Sequence, residues 1–146
     1  MALSPFIIPV TPESTYKLLG FHLMPPPTVK YPDMPEKISI VPNEALGDLI
    51  STYAIWREYS EQCTVIALSA VARINDKYKR AYDSAVIMSS GKNRELRDAQ
   101  ASIEVDAERI EVTDAQILYN MLNSKKESIV SNLAVLSREI SRRGVK

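Results

Sequence analysis

The sequence predicts an all-α protein: a long antiparallel two-helix hairpin, coiled-coil-like, preceded by an extended proline-rich N-terminal arm. Three observations predict it. All nine prolines, from Pro5 to Pro42, fall in the first 42 residues. Beyond them apolar residues recur at alternating steps of three and four, the spacing of a helix face. One turn signal, Ser89-Ser90-Gly91-Lys92-Asn93, interrupts that pattern.

Residues 1–42 form the arm. Proline removes a backbone donor and clashes with the preceding turn of a helix, at a cost of about 3 kcal/mol. The segment therefore holds no long helix, although Thr11-Pro12 can open a short turn over 12–19. Pro25-Pro26-Pro27 favours extended polyproline II. Phe6, Ile7, Ile8, Tyr16, Phe21, Tyr31 and Ile38 are too apolar for a solvated linker, so the arm is expected to lie along the helices or a neighbouring subunit.

Residues 43–146 form the hairpin. Asn43 caps a first helix over about 44–88, on the order of 65 Å long at 1.5 Å per residue. Its inner stripe is expected to be Leu46, Leu49, Tyr53, Trp56, Ser60, Cys63, Ala67, Ala70, Ile74, Lys77, Ala81, Ser84 and Met88. A second helix follows the turn, with Leu96, Ala99, Ile103, Ala107, Ile110, Ile117, Met121, Leu122, Ile129, Leu133, Leu136 and Ile140 facing the first. The step between Ile117 and Leu118 departs from strict heptads. Gly144 is the stop signal. Folding about Ser90-Gly91 pairs Arg73 with Glu108, Lys77 with Glu104 and Glu44 with Arg138.

Apolar residues off these stripes include Ile55, Val65, Ile66, Val71 and Ile87 on the first helix, and Val105, Val112, Val130 and Val135 on the second. Water would meet them as a patch that monomers rarely tolerate, so the chain is expected to associate with itself as a homo-oligomer.

Composition bounds the function. Lys and Arg together number 18, as do Asp and Glu, so the whole molecule projects no strong field. A generic nucleic-acid binder is usually basic. Cys63 is the one cysteine, which allows no intrachain disulfide and no oxidising framework. Apolar runs fall short of the roughly 20 residues of a membrane helix, and the N-terminus lacks a basic signal-peptide start. A cytoplasmic protein with no membrane contact is expected.

Enzymatic chemistry finds little support. His22 is the one histidine, with no second histidine or nearby cysteine to share a metal. No glycine-rich phosphate loop and no Cys/His zinc spacing occur. Glu104, Glu108 and Glu111 share a helix face, but the Glu-x-x-His element of helical carboxylate metal sites is absent. No catalytic residue, metal or cofactor is expected.

Local charge is more telling. Residues 73–97 carry seven basic residues against three acids, a net of +4. Residues 98–118 hold one arginine against six acids, a net of −5, and 119–146 return to +4. Tyr78 and Tyr82 sit among the basic residues of the tip. Basic residues interleaved with aromatics suit single-stranded nucleic acid, with phosphates on Lys/Arg and bases on rings. Tyr53, Trp56, Tyr59 and these two tyrosines would equally fill wide places between the helices.

Tyr53-Ala-Ile-Trp56 and Lys77-Tyr78-Lys79-Arg80-Ala81-Tyr82 resemble the first half of the UvsY-type recombination mediators of tailed phages. So does Glu104-Val105-Asp106-Ala107-Glu108-Arg109-Ile110-Glu111-Val112, leading through Ile117-Leu118-Tyr119 to Ser137-Arg138-Glu139-Ile140-Ser141-Arg142-Arg143. The likeness covers about 45–143 and leaves the proline-rich arm without a counterpart. It implies a homo-oligomeric phage accessory protein in the host cell cytoplasm that binds single-stranded DNA and assists a RecA-like recombinase. Lys77, Tyr78, Lys79, Arg80 and Tyr82 would then contact DNA, with Arg94 and Arg97 at the tip and Arg138, Arg142 and Arg143 at the end as further candidates. The competing class is a structural or assembly protein, a phage particle component or helical adaptor, using the hairpin and arm for protein contacts.

Overall fold

A long helix needs a stretch free of proline and glycine breaks, and residues 43–88 supply one. In the computed structural model, which describes residues 25–144, α1 spans Asn43–Met88, α2 Arg94–Glu104 and α3 Asp106–Arg142. A 3-10 turn over Ile38–Ile40 precedes them, and no strand occurs among the described residues. The helical turn expected over 12–19, His22 and most of the arm's apolar residues lie outside the described residues.

The turn between α1 and α2 depends on a glycine and a cap. A Cβ on Gly91 would stand 2.8 Å from the Arg97 backbone nitrogen, so only glycine lets the chain pass. Asn93 caps α2, its side chain accepting from the Leu96 N–H at 2.9 Å. At the far end, Gly144 takes φ +69° just past α3, the left-handed stop the sequence suggested.

α3 runs back along α1. Its Leu122, Ile129, Leu133 and Leu136 pack against Leu46, Tyr53, Trp56, Cys63 and Ala67. Asn132 Nδ2 donates to Tyr53 Oη at 3.3 Å, and Tyr53 Oη donates to the Pro32 carbonyl at 3.4 Å. This base is widened by aromatics: Tyr31 meets Trp56 edge-on at 5.4 Å between ring centroids, and Trp56 meets Tyr59 likewise at 6.1 Å. Tyr31, Met34, Ile38 and Val41 join the same core, so residues 31–41 close the open end of the hairpin.

The second helix corrects the expectation twice. It is not unbroken: Val105, with φ −100° and ψ 19°, separates α2 from α3. The ladder continues across the break, Val105 N–H donating to Ala101 O at 3.1 Å and Arg109 N–H to Val105 O at 3.0 Å. Ile117-Leu118, by contrast, lies within continuous α3. The second correction concerns its seam. Leu96, Ile103, Ile110, Ile117 and Met121 were expected inside and lie outside, 50, 79, 47, 52 and 62% exposed. Ala101 and Val105 take the inner place, packed with Ala85, Tyr78, Ala81 and Tyr82. The cause is size. The α1 tyrosines project inward near the tip, and only small residues fit opposite them. Met88 likewise lies 80% exposed while Ala85 turns in.

Register follows from this packing. Lys77 pairs with Glu111 at 3.2 Å, two helical turns beyond the Glu104 expected. The pairs Arg73–Glu108 and Glu44–Arg138 do not form among the described ion pairs. Core volume decides the register, because an exposed ion pair contributes only about 0–1 kcal/mol.

A clamp locks the base. Arg143 donates from Nη1 to Val41 O at 2.6 Å and Asn43 Oδ1 at 2.9 Å, and from Nη2 to Ile38 O at 2.9 Å. Glu139 holds that guanidinium at 2.9 Å and Arg142 at 2.7 Å. Hydrogen bonds from Arg142 and then Arg143 lower the Glu139 carboxyl from its ordinary 4.5 to about 2. Arg143→Ala should therefore destabilise the fold by about 1–3 kcal/mol, several degrees in melting temperature by calorimetry. A lowered carboxyl pKa adds stability that is complete above about pH 4.5 and is lost as pH falls through about 2. Glu139→Gln should flatten the acid limb of the melting temperature in that window; an unchanged limb would assign acid sensitivity elsewhere.

Candidate functional site

The ten basic and aromatic candidates divide between the two ends of the hairpin. Lys77, Tyr78, Lys79, Arg80, Tyr82, Arg94 and Arg97 gather at the tip, where the end of α1 meets α2. Arg138, Arg142 and Arg143 sit at the base, beside the segment that enters α1. No single strand contact of a few nucleotides joins them, since most of the length of α3 intervenes.

At the tip the two tyrosines are packed. Their ring centroids lie 6.3 Å apart, and both rings rest on the Ala85, Ala101 and Val105 cluster. Tyr82 Oη donates to Asp98 Oδ1 at 3.2 Å. Burial, and then the Asp98 charge, push the Tyr82 hydroxyl above its ordinary value. Three of the cations have acidic neighbours: Lys77 with Glu111 at 3.2 Å, Arg80 with Asp76 at 2.9 Å and Arg94 with Asp98 at 3.9 Å. These pairs are largely exposed, so a phosphate could displace them at small cost. Lys79 and Arg97 are exposed and make no ion pair among the described residues, as do Arg73 and Lys92.

At the base, Arg138 is exposed and makes no described ion pair, whereas Arg142 and Arg143 are held by Glu139. Arg143 is 15% exposed at its side chain and belongs to the clamp. Tyr53 and Trp56 are buried and Tyr59 half-buried in the base core. Burial raises the Tyr59 hydroxyl to about 12, and raises the buried Cys63 thiol, so neither is poised to react.

Chemistry that needs a metal has no described centre: no three His, Cys, Asp or Glu side chains converge among the described residues. No described helix is long and apolar enough to cross a membrane. Two shallow grooves border the second helix. One, near the tip, is lined by Tyr78, Ser102, Ile103, Asp106 and Arg109. The other is lined by Asn120, Met121, Ser124, Lys125 and Ser128.

The chain matches no family model, no curated protein and no solved structure. Its geometry alone must therefore suggest a function.

The feature that sequence reasoning placed wrongly is the outer stripe. Leu96, Ile103, Ile110 and Ile117 recur every seventh residue, directly opposite Ala101, Val105 and Leu122. The signal lay in the sequence as a helix apolar on two faces. The bulkier face was assigned inward because nothing in the sequence measures how narrow the seam is.

Tyr82→Ala should lower the melting temperature by removing a ring and a hydrogen bond from the tip, a loss of about 1–3 kcal/mol. Circular dichroism should still report the helices. A melting temperature equal to the parent's would free Tyr82 for a role in stacking on a ligand.

Proposed function

We propose that this chain is a non-enzymatic assembly protein, a helical adaptor or particle component that works by protein–protein contact. The observation that carries this reading is the second helix, apolar on two opposite faces. One face is used by α1, and the other presents Leu96, Ile103, Ile110, Ile117 and Met121 to solvent. A helix apolar around most of its circumference belongs between two neighbours. The clamped, aromatic base supplies a rigid mount for that face.

A second reading, that of a UvsY-type mediator in an infected cell's cytoplasm, draws on the tip. Arg73, Lys79, Lys92 and Arg97 are exposed there without described ion pairs, and the other tip cations are bound only by exposed carboxylates. In that reading single-stranded DNA follows the tip, and a RecA-like recombinase is the partner.

Fluorescence anisotropy with a single-stranded oligonucleotide at several salt concentrations separates the two. The assembly reading expects weak binding that Lys79→Ala with Arg97→Ala leaves unchanged. The mediator reading expects affinity to fall steeply with salt, with the logarithmic slope reduced by roughly 0.7 for each phosphate contact removed. Tight, salt-sensitive binding lost in the double variant would overturn the assembly reading.

A further inference from the structure

We infer that the outer face of α2–α3 docks the same face of a second copy of this chain, with the two helices antiparallel and the acidic half of each against the basic half of the other. The inference rests on the assembly reading and names its partner.

Repeated spacing identifies the partner as a helix. Leu96, Ile103, Ile110 and Ile117 stand seven residues apart, the repeat by which a helix follows a neighbouring helix. Beyond Ile117 the same face continues through Met121, Ser124, Ser128 and Ser131 to Val135, at steps of four and three. All of these side chains are exposed. The face therefore changes character along its length, with large apolar groups in the first half and small serines in the second.

Shape and charge make these halves complementary. Met121, Ser124, Lys125 and Ser128 line an open groove where the serines replace bulk. An antiparallel copy crossing near residue 119 sets its Ile117 beside Met121, its Ile110 beside Ser128 and its Ile103 beside Val135. The isoleucines of one copy thus enter the groove of the other, and the exchange occurs twice by symmetry. The same alignment lays residues 94–118, net −4, along residues 120–144, net +3. Asp114 then lies beside Lys125 of the second copy. A parallel, in-register copy would instead lay acid on acid and serine on serine. Antiparallel pairing satisfies both patterns, and parallel pairing neither.

Sedimentation of the full chain at micromolar concentration should give twice the 16.4 kDa chain mass, with dissociation as salt is raised. Ile103→Lys with Ile110→Lys should return the single-chain mass. Both positions are exposed, and the new lysines lie among acids of their own helix, so circular dichroism and melting should match the parent. Against the basic half of a second copy they are repelled. Orientation is read by disulfide trapping in a Cys63→Ala background. Mixing Ile103→Cys chains with Val135→Cys chains should give the crossed disulfide at least tenfold over either like-with-like product. Dominant 103–103 products would overturn the antiparallel arrangement, and association surviving the double lysine variant would overturn the face. A single-chain mass for the parent would overturn the second copy as occupant. That last result leaves the assembly reading intact, because the reading falls on the DNA titration and not on this mass.

Discussion

Two helices side by side can hide only the stripe along which they touch, and the width of that stripe decides the rest of this molecule. At the base it is wide, because Tyr53 and Trp56 turn inward and Leu122, Ile129, Leu133 and Leu136 meet them. Removing one of these fully buried leucines would cost about 2–5 kcal/mol, more than any exposed ion pair on the hairpin contributes. Toward the tip the stripe narrows to Ala85, Ala101 and Val105 beneath Tyr78 and Tyr82. A narrow seam accepts small residues only. Ile103, Ile110 and Ile117 are excluded from it and lie in water, and the break at Val105 is where the chain turns a small side chain into the gap.

The described part of the proline-rich segment answers the opposite problem. A two-helix base exposes its aromatic edge, and residues 31–41 cover that edge with Tyr31, Met34, Ile38 and Val41. Proline suits the task because the segment needs extended backbone with few ladder partners. Its carbonyls at Ile38, Ser39 and Val41 receive the Arg143 guanidinium instead. Lys125 lies 4.3 Å over the Tyr31 ring centroid, tying α3 to the same segment. The clamp therefore joins both ends of the described chain, and the basic residues at that end divide by role. Arg143 is held in the clamp, Arg142 is 65% exposed and bonded to Glu139 of its own helix, and Arg138 stays in solvent.

Much of the fold was legible in the sequence, and for identifiable reasons. Proline's confinement to the first 42 residues and the Gly91 turn mark where helices can run, and α1 begins and ends within a residue of expectation. The inner positions from Leu46 to Ala67 and from Leu122 to Leu136 were also recoverable, since apolar spacing there is unambiguous. The tip was not. With Ala101 and Val105 on one face and Leu96, Ile103 and Ile110 on the other, hydrophobicity favours the wrong face, and only the facing tyrosines reveal the right one. Charge matching failed for a related reason: a hairpin rich in both signs offers agreeable pairs in several registers, so the three matches carried little information. Of the candidate site, composition located the basic tip and left open whether Tyr78 and Tyr82 stack on a ligand or fill the seam, where they in fact pack.

An apolar stripe left in water is a liability unless something limits what can stick to it. Here the limit is built from serine and charge. Ser124, Ser128 and Ser131 interrupt the apolar stripe after Met121, so no long continuous apolar surface awaits an arbitrary partner. In the pairing we propose, acids beside the isoleucines disfavour a copy of the chain that arrives in parallel register. The partner we propose for them is a helix with small residues and basic flanks at matching height. The lower half of α3 is such a helix, carried by the same chain. The proposed selectivity thus rests on the same asymmetry that misled the sequence reading: bulk and acid in one half, small residues and base in the other.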